Sequence, residues 1–410
     1  MPTIKVPLGP QHPALKEPES FKFELDGERI VDVDVRMGYA HRGIEKGFEA
    51  RNFTQGIYLA ERICGICSHS HTTPFAQNAE ELLKLEIPPR AKWIRSLVGE
   101  LERIHSHLLW LGVAGHEVGF DSLFMYTWRD RELVLDMLEH ISGNRVHYGM
   151  NTIGGVRRDI SAEQVTKLKE MNDIVTARTD YYIKMCTAEP TFMARISGVG
   201  PLTTQQALDL NAVGPMARAS GVKRDVRKDD PYAAYGEIPF DVITADSCDI
   251  LGRAVVRVFE LLQSVKIVDY ILKNMPAGDI KVKAPRKIPS GEAIARYEAP
   301  RGENIHFMKS NGTEKPDRVK VRAPTYANMP ATIVSLRGGY VADIPITVAA
   351  IDPCFCCADR MVRLVDPRKG RNDLLSWPQL QQYSRDWLRK MGTVPRSERS
   401  GGLSPIFRGI

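Results

Sequence analysis

The sequence predicts a mainly helical α+β fold, in which long helices form a bundle core and a small β-sheet opens the chain. Two periodicities carry that expectation. Between residues 20 and 36, Phe21 and Phe23 and then Ile30, Val31, Val33 and Val35 flank Leu25-Asp26-Gly27-Glu28. An Asp-Gly turn between two alternating apolar runs is the pattern of a β-hairpin. From residue 91 the spacing changes, and Ile94, Leu97, Val98, Leu101, Ile104, Leu108 and Leu111 recur at three and four, the stripe of a long helix.

The other elements follow in order. A second helix is expected over 132–146. A third opens at Ser161, where Gln164 completes a capping box, and runs to about Met185. A fourth begins after Asp246 and reaches Ile271, apolar enough to be central. Four long helices suggest a bundle. Residues 212–240 carry Gly214-Pro215, Gly221, Asp230-Pro231 and Gly236 and predict a long ordered loop, and 275–330 is also rich in Pro and Gly. No internal repeat is visible. The expected organisation is one domain over 1–410, with a β-rich part to residue 50, a helical core over 51–275 and a C-terminal part from 276 that closes a cysteine site.

Composition narrows the function classes. Apolar residues make up 43% of the 410, enough to fill a sizeable core. The net charge is only +6, and no long Lys/Arg block is present to neutralise phosphates, which argues against nucleic acid as the ligand. No run of about 18 apolar residues occurs, so a membrane-spanning helix is not expected. Met1-Pro2-Thr3-Ile4-Lys5 lacks the basic-then-apolar pattern of an export signal. Five of the seven cysteines fall in two clusters. That distribution points to metal binding in a reducing compartment rather than to a disulfide framework.

The clusters are Arg62-Ile63-Cys64-Gly65-Ile66-Cys67-Ser68-His69-Ser70-His71 and Asp352-Pro353-Cys354-Phe355-Cys356-Cys357-Ala358-Asp359-Arg360. Each offers a Cys-x-x-Cys pair, and two pairs from distant segments can close a four-sulfur pocket for a soft metal. A structural zinc site is the plainer alternative, although zinc sites commonly gather ligands from closer segments.

Both strings resemble the metal motifs of the large subunit of nickel-iron hydrogenases. Gly9-Pro10-Gln11-His12-Pro13 and the stretch from Leu101 through Gly119 to Thr152-Ile153-Gly154-Gly155-Val156 are similar to the quinone-site subunit of respiratory complex I. Together they resemble the complex-I-related, membrane-bound hydrogenases and their sulfur-reducing relatives, over nearly the whole chain. The resemblance implies a nickel-iron hydrogenase large-subunit fold. It also implies a nickel-iron centre with Cys64 and Cys354 terminal on nickel and Cys67 and Cys357 bridging. It places Arg301, in Glu298-Ala299-Pro300-Arg301-Gly302, over the metals, with Asp352 as its acceptor. Pro324 and Thr325 would face diatomic ligands, His71 would stand behind the metal ligands, and Glu17 would pass protons to a terminal thiolate. His12 matches a quinone-contacting histidine, but the cysteine motif replaces that relative's tyrosine segment. Glu117 matches an acidic residue used in coupling toward the membrane arm. His105 and His107, two apart on one helix, face different ways and do not share a metal.

Two departures bear on the reaction. Cys356 stands where the family has a small hydroxyl residue, and the chain retains a tail beyond Arg360 that maturing hydrogenases lose by proteolysis. The tail puts first sulfane sulfur (polysulfide or disulfide) reduction near a proximal 4Fe-4S cluster of a partner subunit, coupled to ion translocation, whereas four intact cysteines favour the alternative, proton reduction at a nickel-iron centre. A structural subunit with a vestigial site is the third alternative. Each implies an iron-sulfur small subunit, further cluster-bearing and membrane antiporter-like subunits, ferredoxin as electron donor, and a place at the cytoplasmic side of the membrane.

Overall fold

The computed structural model describes residues 3–359, the strands Val362–Asp366 and Arg371–Leu375, and residues 382, 383 and 386. Two compact units are present, Met1–Ala358 and Asp359–Ile410. In the second, the two strands pair antiparallel. Arg360 and most of the tail lie outside the described residues. Both cysteine motifs belong to the first unit, so their convergence ties residues 1–358 together and makes no demand on the tail.

The first unit opens with a three-stranded antiparallel sheet, Ile4–Leu8, Ser20–Asp26 and Arg29–Arg36, in sequence order. Gly27, at φ 59, makes the tight turn that the Asp-Gly pair predicts. Phe21, Phe23, Leu25, Ile30 and Val33 are buried, and the Phe21 ring sits 6.3 Å from that of Phe355, so the sheet lies beneath the late cysteine motif. Val31 departs from the expected face and is 49% exposed. Leu25 pairs with Ile30 and Glu24 with Asp32, which leaves Val31 as the extra residue of a β-bulge.

Pro89–Glu117 is the long helix that the stripe predicts, and its seven stripe residues are all at most 1% exposed. Asp121–Ser142 packs along it. This second helix starts well before the expected 132, because Met125, Tyr126 and Trp128 are exposed and blur its apolar face. It stops before 146 because Gly143, at φ 83, ends it in a left-handed cap. Ala162–Ala188 carries the expected capping box, with Gln164 N donating to Ser161 Oγ (3.1 Å) and Ser161 N to Gln164 Oε1 (3.0 Å). The central apolar helix is Ile250–Asn274, capped by Asp249 rather than Asp246. Cys248, at φ 58, cannot continue a helix, so the helix starts after Asp249, and an orphan amide of its first turn, Gly252 N, falls to Asp249 Oδ1 (2.9 Å).

Several elements were hidden in the sequence. Ser68–Leu83 is a helix in which every residue from Ser68 to Ala76 is buried, so it has no polar face to give a stripe. Gly291–Ala299, Gly302–Ser310 and Pro316–Arg322 form an antiparallel meander whose Pro and Gly residues punctuate turns rather than interrupt strands. Residues 212–240 are largely loop, with two short helical turns at Pro215–Arg218 and Val226–Asp229. No helix among the described residues is long and apolar enough to cross a membrane.

Candidate metal centre

Three chain segments build the site. The helix Phe53–Glu61 ends at Arg62, and Cys67 is the N-cap residue of Ser68–Leu83, so Cys64 and Cys67 sit in the joint between two helices. Glu102, on the long helix, accepts from His69 N (2.6 Å) and Ser70 N (2.9 Å) and so caps the second of these where Cys67 has no capping side chain. The late motif follows the helix Ile344–Ala350. Asp352, at φ 56, reverses the chain, and Cys354 leads into the short helix Phe355–Ala358. Cys354 N donates to Thr325 Oγ1 (3.0 Å), at the start of the helix Pro324–Leu336.

The third segment is the turn between the first two strands of the meander, which carries Arg301. Gly302, at φ 125, packs backbone to backbone on Gly214, and a Cβ at Gly214 would lie 2.4 Å from Gly302 Cα. Buried charges fix the strand leading into this turn. Arg103 donates to Glu298 O (2.6 Å) and Ala299 O (3.3 Å), and Arg218 bridges Glu298 (2.8 Å) and Glu260 (2.7 Å).

The early and late thiols converge. Cys64 Sγ is 3.2 Å from Cys354 Sγ, which lies 3.0 Å from Cys357 Sγ and 3.4 Å from Cys356 Sγ. Cys64, Cys67, Cys354 and Cys357 are each at most 3% exposed, and Cys356 is half-buried. The sulfurs of Cys64, Cys354, Cys356 and Cys357 all lie within 4.8 Å of one another. Cys67 instead accepts from Arg301 Nη1 at 3.1 Å. Arg301 also donates through Nε to Asp352 O (2.8 Å), through Nη2 to Asp352 Oδ1 (2.7 Å) and through Nη1 to Ser106 Oγ (3.2 Å). His71 Nε2 lies 3.4 Å from Cys357 Sγ, and His71 Nδ1 is 3.1 Å from His306 Nε2.

Electrostatics favour a thiolate in this cluster. Hydrogen bonding from Cys354, then Cys356, Cys357 and Cys67, holds Cys64 well below the ordinary thiol range. Burial alone would lower Arg301, but Asp352 and the thiolates outweigh it and keep the guanidinium charged. Burial pushes Asp352 above the usual carboxylate range, opposed by Arg301 and Arg257. Burial also pushes Glu102 up to about 8, against the donors that reach it.

The remaining expected residues divide. Glu17 Oε2 accepts the Cys356 N–H (2.9 Å), and Lys16 pairs with Glu117 (2.8 Å), so one loop is pinned both to the late motif and to the end of the long helix. Pro324 is the first residue of its helix and positions Thr325. His12 is exposed and accepts from Ala14 N within its own loop. His105 meets Tyr148 (2.8 Å) and His107 meets Glu260 (3.0 Å), on different sides of the helix.

The motifs did not reveal Glu102, Ser106 or Arg42. Arg42 donates to the carbonyls of Arg62 (2.9 Å), Ile63 (2.7 Å) and Cys356 (2.9 Å), joining the two cysteine segments through their backbones. A cavity of about 340 Å³ opens onto Cys354, lined by Glu17, Trp110, Trp128, Arg301 and Asp352 among others. A buried, sulfur-rich pocket fits a thiophilic transition metal and not magnesium or calcium, which take oxygen ligands. A cavity beside it is unlike a closed structural zinc site.

Comparisons with known proteins agree with this architecture. Residues 117–288 and 282–360 match the family described as respiratory-chain NADH dehydrogenase, 49 Kd subunit, and residues 42–112 match the nickel-dependent hydrogenase family. The membrane-bound hydrogenase subunit alpha of Pyrococcus furiosus is 42% identical over 386 residues, covering 89% of this chain and 90% of that protein. The carbon monoxide-induced hydrogenase of Rhodospirillum rubrum is 39% identical, over 88% of this chain and 100% of that protein. Among solved structures, a chain of the membrane-bound sulfane sulfur reductase, an archaeal respiratory membrane complex, superposes with a TM-score of 0.84. It is 31% identical, and the match covers 87% of this chain and 98% of that one. The chain belongs to the family of the 49 Kd respiratory-chain subunit, as a large subunit of the complex-I-related group of membrane-bound hydrogenases and reductases.

Proposed function

We propose that this chain is the large subunit of a hydrogen-evolving nickel-iron hydrogenase within a membrane-bound, ion-translocating complex. One observation carries the proposal: thiols 290 residues apart meet in a single buried cluster, with Cys64 Sγ 3.2 Å from Cys354 Sγ. The sequence alone weighed sulfane sulfur reduction ahead, on the retained tail. Both readings need the early and late thiols together, and relatives named as hydrogenases at 42% and 39% identity weigh toward the metal-holding one.

Cys64, Cys67, Cys354 and Cys357 would hold the metals. When bound, a nickel-iron centre supplies the redox site at which two protons and two electrons combine into one dihydrogen. The chain's own residues prepare that site. Arg301 sets a fixed cation against Cys67 and is itself held by Asp352, so its charge is in place before any ligand arrives. Thr325 fixes the backbone of Cys354, and His71 orients the Cys357 sulfur. Glu17, at the rim of the cavity that opens onto Cys354, holds and delivers a proton. Electrons arrive from ferredoxin through cluster-bearing subunits and a proximal 4Fe-4S cluster in an iron-sulfur small subunit. Antiporter-like membrane subunits carry the ion, with this chain on the cytoplasmic side.

The second reading is sulfane sulfur reduction, favoured by the match to the sulfane sulfur reductase. There the cysteines would line the cavity, and a persulfide or disulfide bond would take two electrons from the partner's cluster. Metal and product analysis of the purified complex separates the two. Stoichiometric nickel with ferredoxin-driven hydrogen, both lost in Cys357→Ser, is the expected result. A nickel-free complex that makes sulfide and tolerates Cys357→Ser would overturn it.

A further inference from the structure

The thiol that the motif comparison leaves without a role is Cys356, yet it belongs to the four-sulfur set that lies within 4.8 Å, and Cys67 does not. Its peptide is clamped on both sides. The N–H donates to Glu17 Oε2 (2.9 Å), and the carbonyl accepts from Arg42 Nη2 (2.9 Å). From that fixed backbone the sulfur lies 3.4 Å from Cys354 Sγ, and it is the more accessible member of a cluster whose other thiols are at most 3% exposed.

The nearest charged partners of the two candidate fourth ligands differ in sign. Cys67 Sγ is engaged by the Arg301 guanidinium at 3.1 Å, which repels an incoming dication. The backbone N–H of Cys356 is instead held by the Glu17 carboxylate, a charge that attracts one. We propose that Cys64, Cys354, Cys356 and Cys357 form an entry site for a thiophilic divalent cation such as nickel, which later exchanges Cys356 for Cys67. Three sulfurs are common to both sets, so the exchange makes one metal-sulfur bond and breaks one, and Cys67 gives up the proton that Cys356 takes back. The inference rests on the reading of the cluster as a metal centre but assigns it a different first ligand set.

The test is a titration of the full, metal-free chain with Co²⁺ alone, read by its thiolate-to-cobalt absorption and by affinity. Wild type and Cys67→Ser should bind one ion with the same four-thiolate spectrum and affinities within about threefold. Cys356→Ser should bind at least about tenfold more weakly, the scale on which even the outer partners of ligands act, with a three-thiolate spectrum. The reverse pattern, Cys67→Ser weakened and Cys356→Ser unchanged, overturns the assignment. A second measurement needs no variant. In the wild-type chain, iodoacetamide should label Cys356 without cobalt and not with it, and equal labelling refutes the entry site. Absence of any cobalt-thiolate band in the wild type also overturns it, whereas the nickel-iron proposal stands or falls separately on the metal content of the mature complex.

Discussion

Replacing Arg301 by methionine removes the charge at the centre of the site while keeping a side chain of similar length. The pair it breaks is almost dry, with Arg301 and Asp352 side chains 2% and 5% exposed and Nη2 2.7 Å from Oδ1. Removing one partner of such a pair costs about 3–5 kcal/mol, because the other is left as a buried, uncompensated charge. Burial already raises Asp352, and Arg257 remains to face it, so the orphan is partly relieved and the expected loss is about 3 kcal/mol, the low end of that range. Asp352→Asn alone leaves Arg301 without its main partner and should cost a similar amount. With both charges removed, the penalty for isolating either one disappears. The double variant should therefore be at least about 2 kcal/mol more stable than additivity requires. Denaturant unfolding of the four metal-free full-length chains measures the cycle. A loss below about 1 kcal/mol for Arg301→Met, or strict additivity, would show that the pair is not held as described.

Three further outcomes are expected. In Gly302→Ala the new Cβ meets Gly214 N at 2.7 Å and Gly214 Cα at 2.8 Å, backbone that cannot swing aside, and the φ of 125 adds strain. Stability should fall by about 2–4 kcal/mol in thermal or denaturant unfolding, with metal uptake impaired, and a neutral result would contradict the close approach. Glu102 is held near 8 when folded against an ordinary 4.5, so between those values the folded chain keeps a proton that the unfolded chain has lost. Its contribution to stability is therefore lost as pH rises through that window, at up to about 1.4 kcal/mol per pH unit. Glu102→Gln should flatten the pH dependence of the unfolding midpoint between pH 5 and 8, and equal slopes would refute the shift. Glu17→Gln keeps an acceptor for the Cys356 N–H but cannot relay a proton. Hydrogen evolution should drop about 100-fold while the mature complex keeps its nickel, and unchanged turnover would remove Glu17 from the proton path.

The parts legible in the sequence are those with a local signature. The Asp26-Gly27 turn, the stripe from Ile94 to Leu111 and the Ser161 box each announce themselves within a few residues. The two cysteine pairs were legible by spacing, and Arg301, Asp352 and Glu17 by the strings around them. Arg301 and Asp352 meet, and Glu17 meets the peptide of Cys356. Glu102, Arg103 and Arg42 were illegible because their partners are far along the chain. Arg42, for example, reaches Cys356 across 314 residues, and a charge satisfied at such a distance leaves no pattern beside it. The helix Ser68–Leu83 failed for the opposite reason. Its residues from Ser68 to Ala76 are all buried although most are polar, so the contrast of faces that betrays a helix is missing.

The helix Pro89–Glu117 is unusual in carrying polar anchors along its buried length: Glu100 to Arg227, Glu102 to the amides behind Cys67, Arg103 to the strand before Arg301, and His107 to Glu260. At 1.5 Å per residue it is a rod of about 43 Å, stiff along its axis because every turn is tied to the next. Its far end holds the Lys16–Glu117 pair. Two of the four anchors bear on the segments that carry the thiols and the guanidinium. In this chain one mechanical part thus links the outer loop to the sulfur cluster.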